Sequence, residues 1–327
     1  MRVIALEEHF SIPALVKRID PAVVSRRGFK PRKQVPGKPG LNELLAEIGE
    51  VRLKSMDETG VTMQVLSPGG PGPDLVPGPD GVAFARETND QVATAIAKHP
   101  TRFAAFATLP MASPDACAAE LRRCVKDLRF PGALINGTTD GRFLDHPSYD
   151  SLLAAAVELD VPIYIHPHLP PPAVHEIYYS GLPDGADRVL ATAGWGWHSE
   201  VAIQVLRMAL AGTLDKHPKL KIIIGHMGEG LPFSLWRVDY TLRRAGNAPI
   251  DFRDLFTEHF WITTSGNFST PALICSMLEM GSDHIMYSVD YPFVDNPPGT
   301  EWMRDVQISA EDKGKILSGN AKRLLKL

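Results

Sequence analysis

Eight side chains at four places in the chain have the types and spacing for metal and acid–base chemistry. ALEEHF carries Glu7, Glu8 and His9, IYIHPH carries His166 and His168, IIIGHMGEG carries His226 and Glu229, and YSVDYPF carries Asp290. A borderline divalent cation takes imidazole nitrogens and carboxylate oxygens, and a catalytic site leaves one position open. Glu7, His9, His166 and Asp290 make such a set, and two carboxylates with neutral imidazoles balance a 2+ charge. One divalent ion, Zn2+ or Mn2+, is therefore expected. His226 with Glu229 three residues on reads as an oriented acid–base pair, because the carboxylate fixes the imidazole tautomer and strengthens its hold on a proton. A glycine-rich turn with a solvated Glu, or an anion nest, is the other reading of that string.

These residues need a scaffold that brings distant segments to one place. Short apolar runs place strands at 3–6, 63–66, 103–108, 132–135, 161–165, 221–224, 261–264 and 285–288. Helical patterns follow at 41–59, 82–98, 114–128 with Ser113 as its cap, 149–159, 199–211, 231–244, 271–280 and 310–325. Eight βα repeats with right-handed connections fill one closed (β/α)8 barrel, so the chain reads as a single α/β domain over 1–327 with insertions after strands 1, 2 and 5. An open doubly wound sheet is the alternative, but no GxGxxG follows the first strand and no P-loop occurs.

A barrel of this kind carries its site at the C-terminal strand ends. There stand Glu7, Glu8 and His9, then Ser67, Asn136, His166 with His168, His226 with Glu229, Thr264 with Ser265, and Asp290. Strand alternation turns Glu7 and His9 inward together and Glu8 away. PGALING has only Asn136 at the end of the fourth strand, with no bridging ligand for a second metal, so one ion is expected.

Composition sets the outer bounds. The 327 residues are 44% hydrophobic and 22% charged, with a net charge of -4, which excludes whole-chain disorder and argues against a nucleic-acid or anionic-membrane surface. Three cysteines form no framework; Cys117 and Cys124 would lie about 10 Å apart along one helix. No long apolar run spans a membrane, and MRVIALEEHF resembles neither leader nor anchor, so a cytoplasmic protein is expected. His99 and His217 precede prolines at helix ends and read as structural caps. Arg237 could anchor a carboxylate, but an ion pair with Asp239 or a neighbour is the favoured reading. His198, beside Trp195 and Trp197, either lines a pocket or packs the fifth-strand insertion.

The motifs ALEEHF, VPIYIHP, IIIGHMGEGLPF, ITTSGNF, YSVDYPF and SGNAKRLLKL, in that order along the whole chain, resemble the decarboxylase branch of the amidohydrolase superfamily. The resemblance is strongest to gamma-resorcylate and 2,3-dihydroxybenzoate decarboxylases. It implies a mononuclear (β/α)8 enzyme acting on a small aromatic carboxylate, assembled as a homodimer or homotetramer. It also implies that Glu7, His9, His166 and Asp290 bind the metal, that Asp290, His226 and Glu229 serve catalysis, and that Asn136 and Phe293 line the substrate pocket. Glu7, where many relatives have the first His of an HxH pair, favours the hydroxybenzoate group. The Pro/Gly-rich loop after strand 2 and the basic insertion over 17–38 depart from that pattern. The expected reaction is nonoxidative decarboxylation of an ortho-hydroxybenzoate by ring-carbon protonation. Metal-dependent hydrolysis of a lactone, ester or amide is the alternative, and a noncatalytic binding barrel the third reading.

Overall fold

The computed structural model describes residues 2–29, 39–244 and 250–327. Its strands are β1 (Ile4–Phe10), β2 (Met63–Pro68), β3 (Phe103–Ala105), β4 (Ala107–Thr108), β5 (Ala133–Asn136), β6 (Ile163–His166), β7 (Ile222–Ile224), β8 (Phe260–Thr263) and β9 (Ile285–Met286). Sequential neighbours pair in parallel, β1 to β3 in one run and β4 to β9 in another. The expected third strand is β3 plus β4, hinged at Phe106: Phe106 N donates back to Leu66 O (2.8 Å) and Ala107 N onward to Gly132 O (2.8 Å). Leu6 N donates to Tyr287 O (3.2 Å) and His9 N to Tyr291 O (2.6 Å), joining β1 to the chain after β9 in the manner of a closed barrel.

Several expected elements change. Extended backbone at Gly49 splits 41–59 into helices Leu41–Ala46 and Glu50–Thr59, and the Glu47 carboxylate caps the second by accepting from Arg52 N at 2.9 Å. The last helix is Ala310–Gly314 and Asn320–Leu325 around a π-helical turn. Ser113 does not cap the helix Pro114–Lys126; its hydroxyl accepts from Gly78 N (2.8 Å), tying down the β2 loop instead. The first insertion holds two short helices, Pro13–Val16 and Pro21–Arg26, and its basic stretch at 30–38 lies outside the described residues.

Period-two alternation divides the core into two layers. Ile4, Leu6, Met63, Val65, Phe106, Leu134, Tyr164, Ile223 and Met286 form the inner cluster, which Ala321, Leu324 and Leu325 close from below. Ile163, Ile165, Ile222, Ile224 and Ile262 face the helices. The same phase that turns Leu134 and Tyr164 inward brings Asn136 and His166 to the mouth two residues later.

In β1 that phase would select Glu8, because Ile4 and Leu6 already point inward. A bulge intervenes: Ala5 pairs with Gln64 and Glu8 with Leu66, so Leu6 and Glu7 together face Val65. Glu7 takes φ +60 as part of this extra-residue step. The phase inverts, so Glu7 and His9 reach the site and Glu8 turns into the wall.

Glu8 is fully buried there. Its carboxylate accepts from Val289 N (2.9 Å), Tyr291 N (3.2 Å), Ser288 Oγ (3.2 Å) and Gln64 Nε2 (3.3 Å). Burial nevertheless pushes its pKa up to about 7, against the pull of the Val289 N–H and the Arg52 guanidinium. Arg52, also buried, donates to His9 O (2.6 Å) and Gln64 Oε1 (3.2 Å) and lies 4.8 Å over the Tyr291 ring. Removing the cation strands several buried acceptors beside a buried acid. Arg52→Met is therefore expected to lower unfolding free energy by about 3 kcal/mol in urea titration, and a change below about 1 kcal/mol would contradict this role.

Candidate active site

Glu7 sits at the centre of the mouth, with its carboxylate wholly buried. The Tyr164 hydroxyl, one strand residue pair below His166, donates to Glu7 Oε2 and lies 2.7 Å from Thr263 Oγ1. Gly225 makes room for this contact, since a Cβ there would stand 2.6 Å from Glu7 Oε2. Glu7 Oε1 is thereby left facing His166 Nε2 (3.4 Å) and His226 Nε2 (3.5 Å).

His9 is oriented by Ser67, whose Oγ lies 3.2 Å from Nδ1, so its Nε2 points to the site, 3.2 Å from Asp290 Oδ1. Candidate ligand atoms of Glu7, His9 and His166 lie within 4.8 Å of one another. Glu7 Oε1 and His9 Nε2 are buried without an aligned hydrogen-bond partner. Buried polar atoms are seldom left so, and a shared cation satisfies both. The residues thus fit a divalent ion. Asp290 stands beside His9, outside that tight group of three.

The electrostatics set the two histidines His166 and His226 apart. Burial and the neighbouring imidazoles of His9 and His226 hold His166 well below its ordinary pKa, leaving it neutral as ligation requires. Burial likewise raises Glu7, although His226 and His9 oppose it. His226 goes the other way: burial works against its charge, yet Glu229 and Glu7 raise it to about 10. Burial would raise Glu229, but His226 and His198 hold it down to about 2. Glu229 Oε1 lies 2.8 Å from His226 Nδ1, and Glu229 Oε2 lies 2.5 Å from His198 Nδ1.

Strain gathers at the same place. Glu7, His226, Met227, Glu229 and Asp290 are five of the nine non-glycine residues with positive φ among the described residues. Such conformations persist where surrounding contacts enforce them, often at working sites.

The remaining expected residues are placed as follows. Asn136 pairs with His166 in the β5–β6 register, and the Phe293 ring meets that of His9 edge-on at 5.2 Å on the rim. His168 is buried against Phe29, and its backbone N–H donates to Glu200. Thr264 Oγ1 donates to Ser288 O, a structural role. His217 is the C-cap residue of helix Thr213–Lys216, as expected, and its Nε2 lies 2.9 Å from Asp150 Oδ1. The expected Arg237–Asp239 pair is absent among the described residues; Asp239 takes Arg243 instead (2.8 Å). Tyr164 was legible only as the inward residue two before His166, and His198 carried no spacing signal, because its partner Glu229 is 31 residues away.

A parallel α/β barrel with histidines and carboxylates converging at its mouth defines a metal-dependent amidohydrolase-type site. The chain belongs to the amidohydrolase family, whose model, described as Amidohydrolase, matches residues 26–327. It is 41% identical over 338 residues to gamma-resorcylate decarboxylase of Rhizobium sp. strain MTP-10005, covering 99% of this chain and 98% of the relative. Among solved structures, 2,6-dihydroxybenzoate decarboxylase complexed with 2,6-dihydroxybenzoate superposes with a TM-score of 0.87 at 40% identity, covering 100% of both chains. The dihydroxybenzoic acid decarboxylase of Polaromonas sp. JS666, with bound manganese and the inhibitor 2-nitroresorcinol, gives 0.87 at 38% identity, covering 100% of this chain and 97% of that one.

The His226–Glu229 pair yields a pH prediction for chelator-treated protein. The folded pKa of His226 lies above its ordinary 6.5, so its contribution to stability is complete below pH 6.5 and is lost as pH rises through 10. Glu229, lowered from 4.5 to about 2, contributes above pH 4.5 and loses that contribution as pH falls toward 2. Glu229→Gln is expected to cost about 3 kcal/mol in urea unfolding at pH 6 and progressively less toward pH 10. A cost that stays level across that range would refute the pairing.

Proposed function

We propose that this chain catalyses nonoxidative decarboxylation of ortho-hydroxybenzoates, with 2,6-dihydroxybenzoate as the leading substrate. The observation that carries this reading is the convergence of Glu7, His9 and His166 within 4.8 Å beside a His226–Glu229 pair. The likeness to decarboxylases at about 40% identity over the full length supports the substrate class. Glu7, His9, His166 and Asp290 would hold one divalent ion; the manganese in related structures favours Mn2+ over Zn2+. Such an ion would supply Lewis acidity toward an oxyanionic substrate.

The chain's own residues supply orientation and the proton. Asn136 and the Phe293 ring border the substrate ring. His226, its Nδ1 held 2.8 Å from Glu229 Oε1, turns Nε2 to the edge of the metal set, where it can hold or pass a proton. Asp290, which stands apart from the three convergent ligand atoms, carries the proton to the ring carbon that bears the carboxylate. A C–H bond forms there, the C–C bond to the carboxylate breaks, its electron pair restores the aromatic ring, and CO2 leaves. Protonation first avoids an aryl carbanion. Each turnover consumes one proton.

The whole chain acts as one barrel domain. Assembly into a homodimer or homotetramer is supported by an apolar outer face: Phe233 and Trp236 on helix Leu231–Leu242 and Leu278 on helix Thr270–Met280 are 87%, 62% and 81% exposed. No helix among the described residues is long and apolar enough to cross a membrane. Three free cysteines, two of them buried, agree with a reducing, cytoplasmic setting.

With Mn2+ supplied, 2,6-dihydroxybenzoate is expected to release CO2 stoichiometrically with loss of the acid, chelation to stop the reaction, and Asp290→Asn to abolish turnover while metal stays bound. Full activity in that variant would remove Asp290 as the acid. Opening of a lactone without CO2 release from any hydroxybenzoate would favour the hydrolase.

A further inference from the structure

We propose that His198 is a positioning residue for this reaction: it grips the second oxygen of Glu229 so that the first keeps His226 aligned. The inference rests on the decarboxylase reading and extends it to a residue outside the metal set and the acid–base pair.

Glu229 is 2% exposed, and among the described residues its carboxylate has two hydrogen-bonding partners, both imidazoles. One oxygen faces His226 Nδ1 at 2.8 Å and the other His198 Nδ1 at 2.5 Å. The terminal torsion of a Glu side chain is soft, so a single donor leaves the carboxylate plane free to turn. Two donors on opposite oxygens fix the plane and, through it, the His226 ring. Charge-assisted bonds of this kind are short and strong.

The chain places His198 for this task by a local device. It lies in the first turn of helix Gly196–Leu210, where consecutive side chains diverge by about 100°. Trp197 turns toward the ligand His166, with ring centroids 6.3 Å apart. His198 meets the His226 ring edge-on at 5.9 Å and lies 6.1 Å from the Trp195 ring. Unlike Glu229, the His198 side chain is 23% exposed, so small molecules reach its place from solvent. The turn that ends the long β6 insertion is thus a wall of the site, and the insertion is fastened to the acid–base pair through this one imidazole.

The test compares three manganese-loaded variants on 2,6-dihydroxybenzoate. His198→Ala and His198→Phe remove the donor and are expected to lower kcat by about 10- to 100-fold, with KM changed by less than about threefold and metal content unaltered. His198→Asn, whose amide nitrogen falls near the position of Nδ1, is expected to recover kcat to within about fivefold of wild type. Added imidazole should raise the turnover of His198→Ala and leave wild type unchanged, a rescue that packing alone does not give. Adding His198→Ala to Glu229→Gln should cause little further loss. Wild-type kcat in His198→Ala, loss without recovery by Asn or imidazole, or loss that tracks metal content each overturns the proposal. Should the Phe variant not fold, the Ala and Asn variants carry the test. If Glu229→Gln and His226→Asn turn over normally, the acid–base reading fails as well; if they are impaired and His198→Ala is not, only this inference fails.

Discussion

The Glu8 carboxylate is the contact on which the mouth depends. It accepts from the backbone of Val289 and Tyr291, either side of Asp290, while its own neighbours in sequence are Glu7 and His9. One buried acid thus staples the first strand to the segment after the last and fixes the relative position of residues almost a whole chain apart. A hydrogen bond to a buried carboxylate is among the stronger polar contacts available to a fold, and here four of them serve one group. Arg52, from the helix that precedes β2, and Gln64, in β2 itself, complete the network, so the first, second and last units are held as one wall.

The second constraint is conformational. Straight alternation from Ile4 and Leu6 would have sent Glu8 inward and Glu7 out. The extra residue at Leu6–Glu7 inverts that order at the cost of a left-handed backbone at Glu7. That strain is tolerated because Tyr164, Thr263 and the bare Cα of Gly225 build a seat for the Glu7 carboxylate. With the seat in place, Glu7 turns one oxygen toward His166 and His226, and the site divides into a neutral imidazole fit for ligation and a cationic one fit for proton transfer. The division comes from Glu229, which pairs with His226 and leaves His166 to desolvation.

Much of this was legible in the sequence, and the reasons are specific. The apolar runs GALIN, VPIYIH and KIIIG located strand ends to within a residue or two, because strands buried on both faces read as unbroken apolar runs. The inward pair Glu7 and His9 was correctly chosen by relative alternation, though the bulge that sets its absolute phase left no mark in residue type. The role of Glu8 could have been inferred from two adjacent acids within a doubly buried strand, since neither has a solvent face. Contacts between distant segments stayed hidden: His198 with Glu229, Tyr164 with Glu7, and Ser113 with Gly78 are set by tertiary packing, not by local propensity. The division of 41–59 at Gly49 is by contrast local, a glycine followed by a helix that Glu47 caps.

One cation, gathered by groups from the first, sixth and last strand regions, is the centre on which the proposed chemistry depends. Anomalous diffraction at the manganese edge from crystals of metal-loaded protein tests it most directly. One peak per chain, bonded by Glu7, His9 and His166 with Asp290 at its side, is the predicted result. A peak elsewhere, or none between those side chains, would contradict it.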